Sequence, residues 1–131
     1  MNAFLVDLEN KSGALATVAE ALAAKGINIT GVAGATCGDS GRVAITTADP
    51  VATREVFKAT RVTFKELEIT ETTLAHQPGS LAKATRRLAS AGVNIEAILP
   101  TGMAGGDINV GFVTDNPTKA RELLGTVSAT R

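Results

Sequence analysis

Residues 10–29 of this 131-residue chain return with their pattern intact 66 positions later. Asn10-Lys11-Ser12-Gly13-Ala14-Leu15-Ala16 is answered by His76-Gln77-Pro78-Gly79-Ser80-Leu81-Ala82. Leu22-Ala23-x-x-Gly26-Ile27-Asn28-Ile29 is answered by Leu88-Ala89-x-x-Gly92-Val93-Asn94-Ile95, and the same spacing carries Asp49 to Asp115. A chain of this length is ordinarily one domain, but an internal repeat makes it two units, 1–66 and 67–131. Units of about 65 residues bury only a modest share of their surface, so each is expected to pack on its neighbour and on a second chain.

The first unit reads strand, helix, strand, strand, helix, strand. Ala3 to Glu9 opens it; Leu15, Val18, Ala19 and Leu22 then fall on one face of a 3.6-residue period. Ser12 is the expected N-cap of that helix, and Gly26 the left-handed residue that stops it. Strand sequence runs from Ile27 towards Thr36, Cys37 to Gly41 makes a hairpin connection, and Arg42 to Thr47 returns. Asp49-Pro50 opens a second helix with Ala52, Val56 and Phe57 inward. In the second unit Leu81, Ala84 and Leu88 take the first helix face, and Val93 to Leu99 is the next strand. Pro100 to Gly106 reads as a loose loop, Ile108 to Val113 returns, and Asn116-Pro117 opens a helix with Ala120, Leu123 and Leu124 inward. This order specifies an α+β class: two ferredoxin-like βαββαβ units, antiparallel sheets with helices on one face.

Two places resist the scheme. No glycine or proline separates Val62 from Leu74, and Phe64 and Leu67 are out of alternating phase. This suggests a kinked or bulged strand shared between the units. At the other end only the polar tail 125–131 remains to close the second sheet, which then lacks its fourth strand or borrows one, leaving an edge for another chain.

Composition removes whole classes of function. Thirteen basic side chains balance thirteen acidic ones, so no net field gathers nucleic acid or anionic lipid. No apolar run reaches membrane-spanning length and no signal-peptide pattern follows Met1. The single cysteine, Cys37, rules out an internal disulfide framework and fits a reducing compartment, so the expected location is cytoplasmic. His76 is the only histidine and lacks an evident orienting partner. One histidine and one cysteine do not make a three- or four-ligand zinc site, and the glycines of 102–106 carry no phosphate-binding lysine. No catalytic residue, metal or cofactor is assigned, and the chain is read as not an enzyme.

Asn10-Lys11-x-Gly13-x-Leu15 with Gly26-Ile27-Asn28-Ile29, and Gln77-Pro78-Gly79-x-Leu81 with Gly92-Val93-Asn94-Ile95, resemble the ACT domain, here as a stand-alone tandem pair. The resemblance implies βαββαβ domains that associate side by side through sheets and helices. It also implies a free amino acid bound at an interface between ACT units, regulating amino-acid metabolism, with contacts in the first turn, the opening of the next helix and the adjacent strand. Implied partners are the amino-acid effector, a homodimer or higher homo-oligomer, and an enzyme partner. The ligand set so implied is Asn10, Lys11, Ser12, Gly13, Ala14, Leu15 and Asn28 in the first unit. Its counterpart is His76, Gln77, Pro78, Gly79, Ser80, Leu81 and Asn94 in the second.

The physical logic is that a helix start offers unpaired N–H groups and a positive dipole end to an α-carboxylate. Glycine lets a ligand approach the backbone, and Asn10 offers both donor and acceptor. Blander roles stand beside these. Gly13 and Gly79 also serve strand–helix packing, Asn28 and Asn94 also cap turns, and Lys11 also suits plain solvent exposure. Ser12 stands where the family pattern has proline, as Pro78 does. Which unit holds the better site stays open, with polar side chains favouring Asn10 and Ser12. The reading from another class is a structural module that drives oligomerisation, or binds a partner enzyme, without any small ligand.

Overall fold

The computed structural model describes residues 1–125. The chain forms two compact units, Asn2–Leu67 and a second that runs on from Glu68 and takes in Met1. The first contains β1 (Asn2–Glu9), α1 (Ala14–Ala23), β2 (Ile29–Cys37), β3 (Ser40–Thr47), α2 (Pro50–Ala59) and β4 (Phe64–Glu68). The second contains β5 (Thr70–Leu74), α3 (Ser80–Ser90), β6 (Ile95–Ala104), β7 (Asp107–Thr114) and α4 (Pro117–Leu124). Strand order is β2-β3-β1-β4 in one sheet and β5-β7-β6 in the other, so β2 and β6 are edge strands. This is the expected pair of ferredoxin-like units. The closing strand expected in 125–131 lies outside the described residues beyond Gly125.

Alternation along the strands builds each core. Phe4 and Val6 of β1 face Ile45 and Val43 across the ladder, and all four pack with Val18 and Leu22 of α1 and Val56 and Phe57 of α2. In the second unit Val110 and Phe112 of β7 pack with Ala84 and Leu88 of α3 and Ala120 of α4. The aromatic ring changes strand between the units. Phe4 pairs with Ile45, whereas Thr70 pairs with Phe112, so the bulk lost from the first strand is regained on its partner.

Both first helices end as their glycines require. Gly26 and Gly92 sit at φ +70° and +75°, and the next residues, Ile27 and Val93, donate back to the Leu22 and Leu88 carbonyls while burying their side chains. The starts differ from expectation. Ser12 is not the N-cap of α1; Gly13 holds that position at φ +87°, with no side-chain cap. A serine caps from extended backbone, but here the chain enters through a left-handed residue, and Gly79 repeats this at +92° before α3. The second helices start conventionally: Asp49 accepts from Ala52 N–H at 3.0 Å and Asn116 from Lys119 N–H at 3.1 Å, each before a proline.

Those caps correct the repeat's register. Asp49 corresponds to Asn116, not Asp115, because β6 carries one more residue than β2 and its pairing with β7 shifts between Pro100 and Gly102. The expected loose loop over Pro100 to Gly106 is therefore mostly strand, closed by a tight Gly105-Gly106 turn with both residues at positive φ. The glycines that look like loop on paper absorb a bulge and a turn. The expected shared, bulged strand between Val62 and Leu74 is two strands in two sheets, handed over at Ile69. Phe64 reaches the first core, whereas Leu67 alternates to the other face, which is why the two looked out of phase.

A half-buried cluster ties α2 to β4 and β1. Arg54 donates from Nε and Nη2 to the two Glu66 oxygens at 2.6 and 2.8 Å, and Asn2 adds a bond at 2.7 Å. The Arg54 hydrogen bonds outweigh burial and, with Asn2, lower the Glu66 pKa from 4.5 to about 2. Folded Glu66 thus resists protonation that the unfolded chain accepts below about pH 4.5, so its stabilising effect is present above that pH and lost as pH falls towards 2. We expect Glu66→Gln to melt several degrees lower at pH 7 and to show a flatter decline in Tm from pH 4.5 to 2. Circular-dichroism melts across that range test it, and parallel profiles for the two proteins would refute it.

Candidate functional site

Each unit carries a groove between the turn after its first strand, the opening of its first helix and its edge strand. The N-terminal groove, of about 360 Å³, is lined by Asn10 and Lys11 from the turn, Ala14 and Leu15 from α1, and Val32 and Gly34 from β2. The C-terminal groove, of about 390 Å³, is lined by His76 and Gln77, Ser80 and Leu81, and Ile98 and Pro100. Every one of these six pairs is separated by the repeat spacing, so the grooves are the same site built twice.

Exposed apolar residues concentrate here. Leu15 and Leu81 keep 46% and 48% of their surface, Val32 and Ile98 47% and 39%. Leu15 and Leu81 are thus not core residues of their helix faces, as periodicity predicted; the buried stripe begins a turn later, at Val18 and Ala84. An open concavity walled by aliphatic side chains beside a helix start is a ligand-sized shape with donors at one end.

The polar groups divide between structure and rim. Asn10 pins the β2–β3 turn: its Nδ2 donates to the Gly38 carbonyl at 2.8 Å and its N–H to the Asp39 carbonyl at 2.9 Å, and its Oδ1 has no partner among the described residues. Glu9 and Lys11 pair at 3.0 Å on the exposed lip. Arg42 borders the groove through its strand position, but its Nε donates to Asp7 Oδ1 at 2.9 Å. Alternation from Leu8, which faces the core, places Asp7 on the other side of the sheet.

Of the sequence-derived set, Asn10, Lys11, Ala14 and Leu15 meet in one groove, and His76, Gln77, Ser80 and Leu81 in the other. Ser12, Gly13, Pro78 and Gly79 form the turns without lining either. A Cβ on Gly13 or Gly79 would touch nothing within 4 Å, so what requires glycine there is the left-handed backbone. Asn28 and Asn94 are placed elsewhere. Asn28 accepts through its carbonyl from Ala48 N–H, while the Asn94 carbonyl accepts from Asp115 N–H and the Asn94 N–H donates to Asp115 Oδ1. Asn28 precedes β2 and lies four residues before Val32, roughly 13 Å along an extended strand, and does not line the groove. Sequence reasoning missed Glu9, Val32, Gly34 and Thr36, and with them Ile98 and Pro100. The signal was the repeat itself, which pairs Val32 with Ile98 as apolar residues on edge strands. Among the described residues no cluster of metal-ligating side chains occurs, and no helix is long and apolar enough to cross a membrane.

Residues 1–128 match the profile of an ACT domain pair. Comparison with curated protein sequences gave no match. A solved Bacteroides thetaiotaomicron protein shares 28% identity over 93% of this chain and 84% of its own, with a TM-score of 0.79. The ligand-free regulatory subunit of aspartate kinase from Thermus thermophilus shares 21% identity over 93% and 87%, with a TM-score of 0.64. At that identity the likeness is one of fold. With the repeat, the two βαββ-based units and a profile match spanning nearly the whole chain, the protein belongs to the ACT domain pair family.

Proposed function

We propose that this protein is a non-catalytic sensor of a free amino acid, bound in the turn–helix groove at an interface between ACT units and regulating amino-acid metabolism. The observation that carries the reading is the groove itself: a helix start, a polar turn and an aliphatic wall, built twice at equivalent positions. The fold relative in Thermus thermophilus is described as a regulatory subunit, and the same role suits this pair of units. The boundary at residues 66 and 67 and a cytoplasmic location belong to this reading. So does a homodimer or higher oligomer: among the described residues β2 and β6 present free edges beside the grooves, where a second unit adds a wall, and a partner enzyme receives the signal. Ligand bound between copies favours the assembled state by linkage.

The test is a thermal-shift screen of the full chain against the twenty amino acids, followed by calorimetry and sizing. A saturable rise in Tm with one amino acid, lost in Leu15→Asp, is the expected result. No shift with any of them, alongside an intact oligomer, would replace the sensor with an assembly module.

A further inference from the structure

The grooves are alike in shape and differ in charge, and we infer that only the N-terminal groove holds the amino acid, that Glu9 and Lys11 grip its ionic head, and that its side chain is uncharged and aliphatic. This inference rests on the amino-acid-sensor reading and narrows it to one site and one ligand class.

The head-group argument comes from the repeat. Glu9 and Lys11 put a carboxylate and an ammonium 3.0 Å apart on the groove's lip. Their counterparts in the second unit are Ala75 and Gln77, which carry no charge. A free amino acid presents the complementary pair, an ammonium and a carboxylate on one carbon. It exchanges one exposed ion pair, which is weak in water, for two crossed ones, with the Asn10 Oδ1 and the start of α1 completing the grip. The C-terminal groove gives a zwitterion a helix start but no carboxylate for its ammonium.

The side-chain class follows from what is left inside. Leu8, Leu15, Val32 and Val43 wall the N-terminal groove and Gly34 opens one side of it. The other nearby charge, the Arg42 guanidinium, is drawn by its Nε to Asp7 on the other side of the sheet. One N–H of the Asn10 amide is held by the Gly38 carbonyl, and the amide carries no charge. A charged ligand side chain would be desolvated there without an opposite charge, whereas an aliphatic one meets aliphatic walls.

Calorimetry on the full chain tests this with L-valine, L-leucine, L-aspartate, L-lysine and 3-methyl-2-oxobutanoate, which keeps the valine side chain and carboxylate but lacks the ammonium. We expect L-valine or L-leucine to bind at least tenfold more tightly than L-aspartate, L-lysine or the oxo acid. Glu9→Gln and Lys11→Met, both at exposed positions and expected to melt like the wild type, each weaken binding about tenfold or more. Glu9→Gln also narrows the gap between L-valine and the oxo acid, which mere loss of structure would not do. Installing the pair in the second unit, Ala75→Glu with Gln77→Lys, doubles the stoichiometry. Two equal sites in the wild type, or loss of binding in Leu81→Asp but not in Glu9→Gln or Lys11→Met, would overturn the assignment and leave the sensor standing. Tighter binding of L-aspartate or L-lysine would overturn the ligand class alone. Binding of no amino acid would remove both the inference and the reading beneath it.

Discussion

Phe57→Ala is expected to leave the N-terminal unit largely unfolded at 37 °C. Phe57 is fully buried and meets Phe4 edge-on at 5.6 Å and Phe64 at 5.5 Å, while Phe4 and Phe64 lie 5.9 Å apart, so three rings from β1, α2 and β4 close on one another. Removing a buried phenylalanine costs about 3–5 kcal/mol, including the cavity it leaves. At roughly 0.05–0.15 kcal/mol per residue, a unit of about 65 residues has only about 3–10 kcal/mol to lose. Phe57→Leu is the informative control, because Leu124 packs at the matching place in the second core, and it should cost less than half as much. Urea unfolding followed by circular dichroism measures both. A Phe57→Ala protein as stable as wild type would mean that the ring cluster is not what closes the first core.

The second large effect is expected at a position with no side chain. Gly111 lies in the middle of β7, paired with Leu99 on one side and Glu71 on the other. An added Cβ would run into the Ile69 side chain, including its Cγ1 at 2.9 Å, and approach Leu99 Cδ2 at 3.3 Å. The backbone of Gly111 is not in the left-handed region, so the glycine is there for space alone. Gly111→Ala should destabilise the C-terminal unit by about 1–3 kcal/mol, the usual cost of overpacking. That corresponds to roughly 4–8 °C in Tm for each kcal/mol in a unit of this size. Adding Ile69→Val, which removes the nearer methyl, should restore part of the loss. Should Gly111→Ala melt at or above the wild-type temperature, Ile69 must move aside freely and the close packing has no energetic weight.

The two effects sit on opposite sides of what the sequence made visible. Phe57 was legible as core because helical periodicity with an Asp-Pro start names the inward face of α2 without any structure. Gly111 was not, since its crowding depends on Ile69 reaching across a neighbouring strand, a contact of long sequence separation. The same division runs through the candidate site. Asn10, Lys11 and Leu15 are close in sequence and were found by the repeat, whereas Val32 and Gly34 enter the groove only because β2 comes back beside it. Asn28 and Asn94 were drawn in by pattern, and the structure places neither among the residues lining the grooves. Ser12 was read as a cap from its chemistry, and the left-handed entry at Gly13 overrode it.

What the sequence by itself determined is whatever depends on neighbours a few residues away: the duplication, the order of strands and helices, the glycine stops at Gly26 and Gly92, and the inward faces of the second helices. Periodicity and backbone preference act locally, so they can be read locally. Only the tertiary structure decided which strands stand at the edges, that β6 absorbs an extra residue in a bulge, and that Leu15 and Leu81 wall a groove when their helical phase assigns them to the core. Those outcomes are set by pairing and packing between distant segments, where a residue's surroundings are chosen by the closed fold and not by its place in the chain.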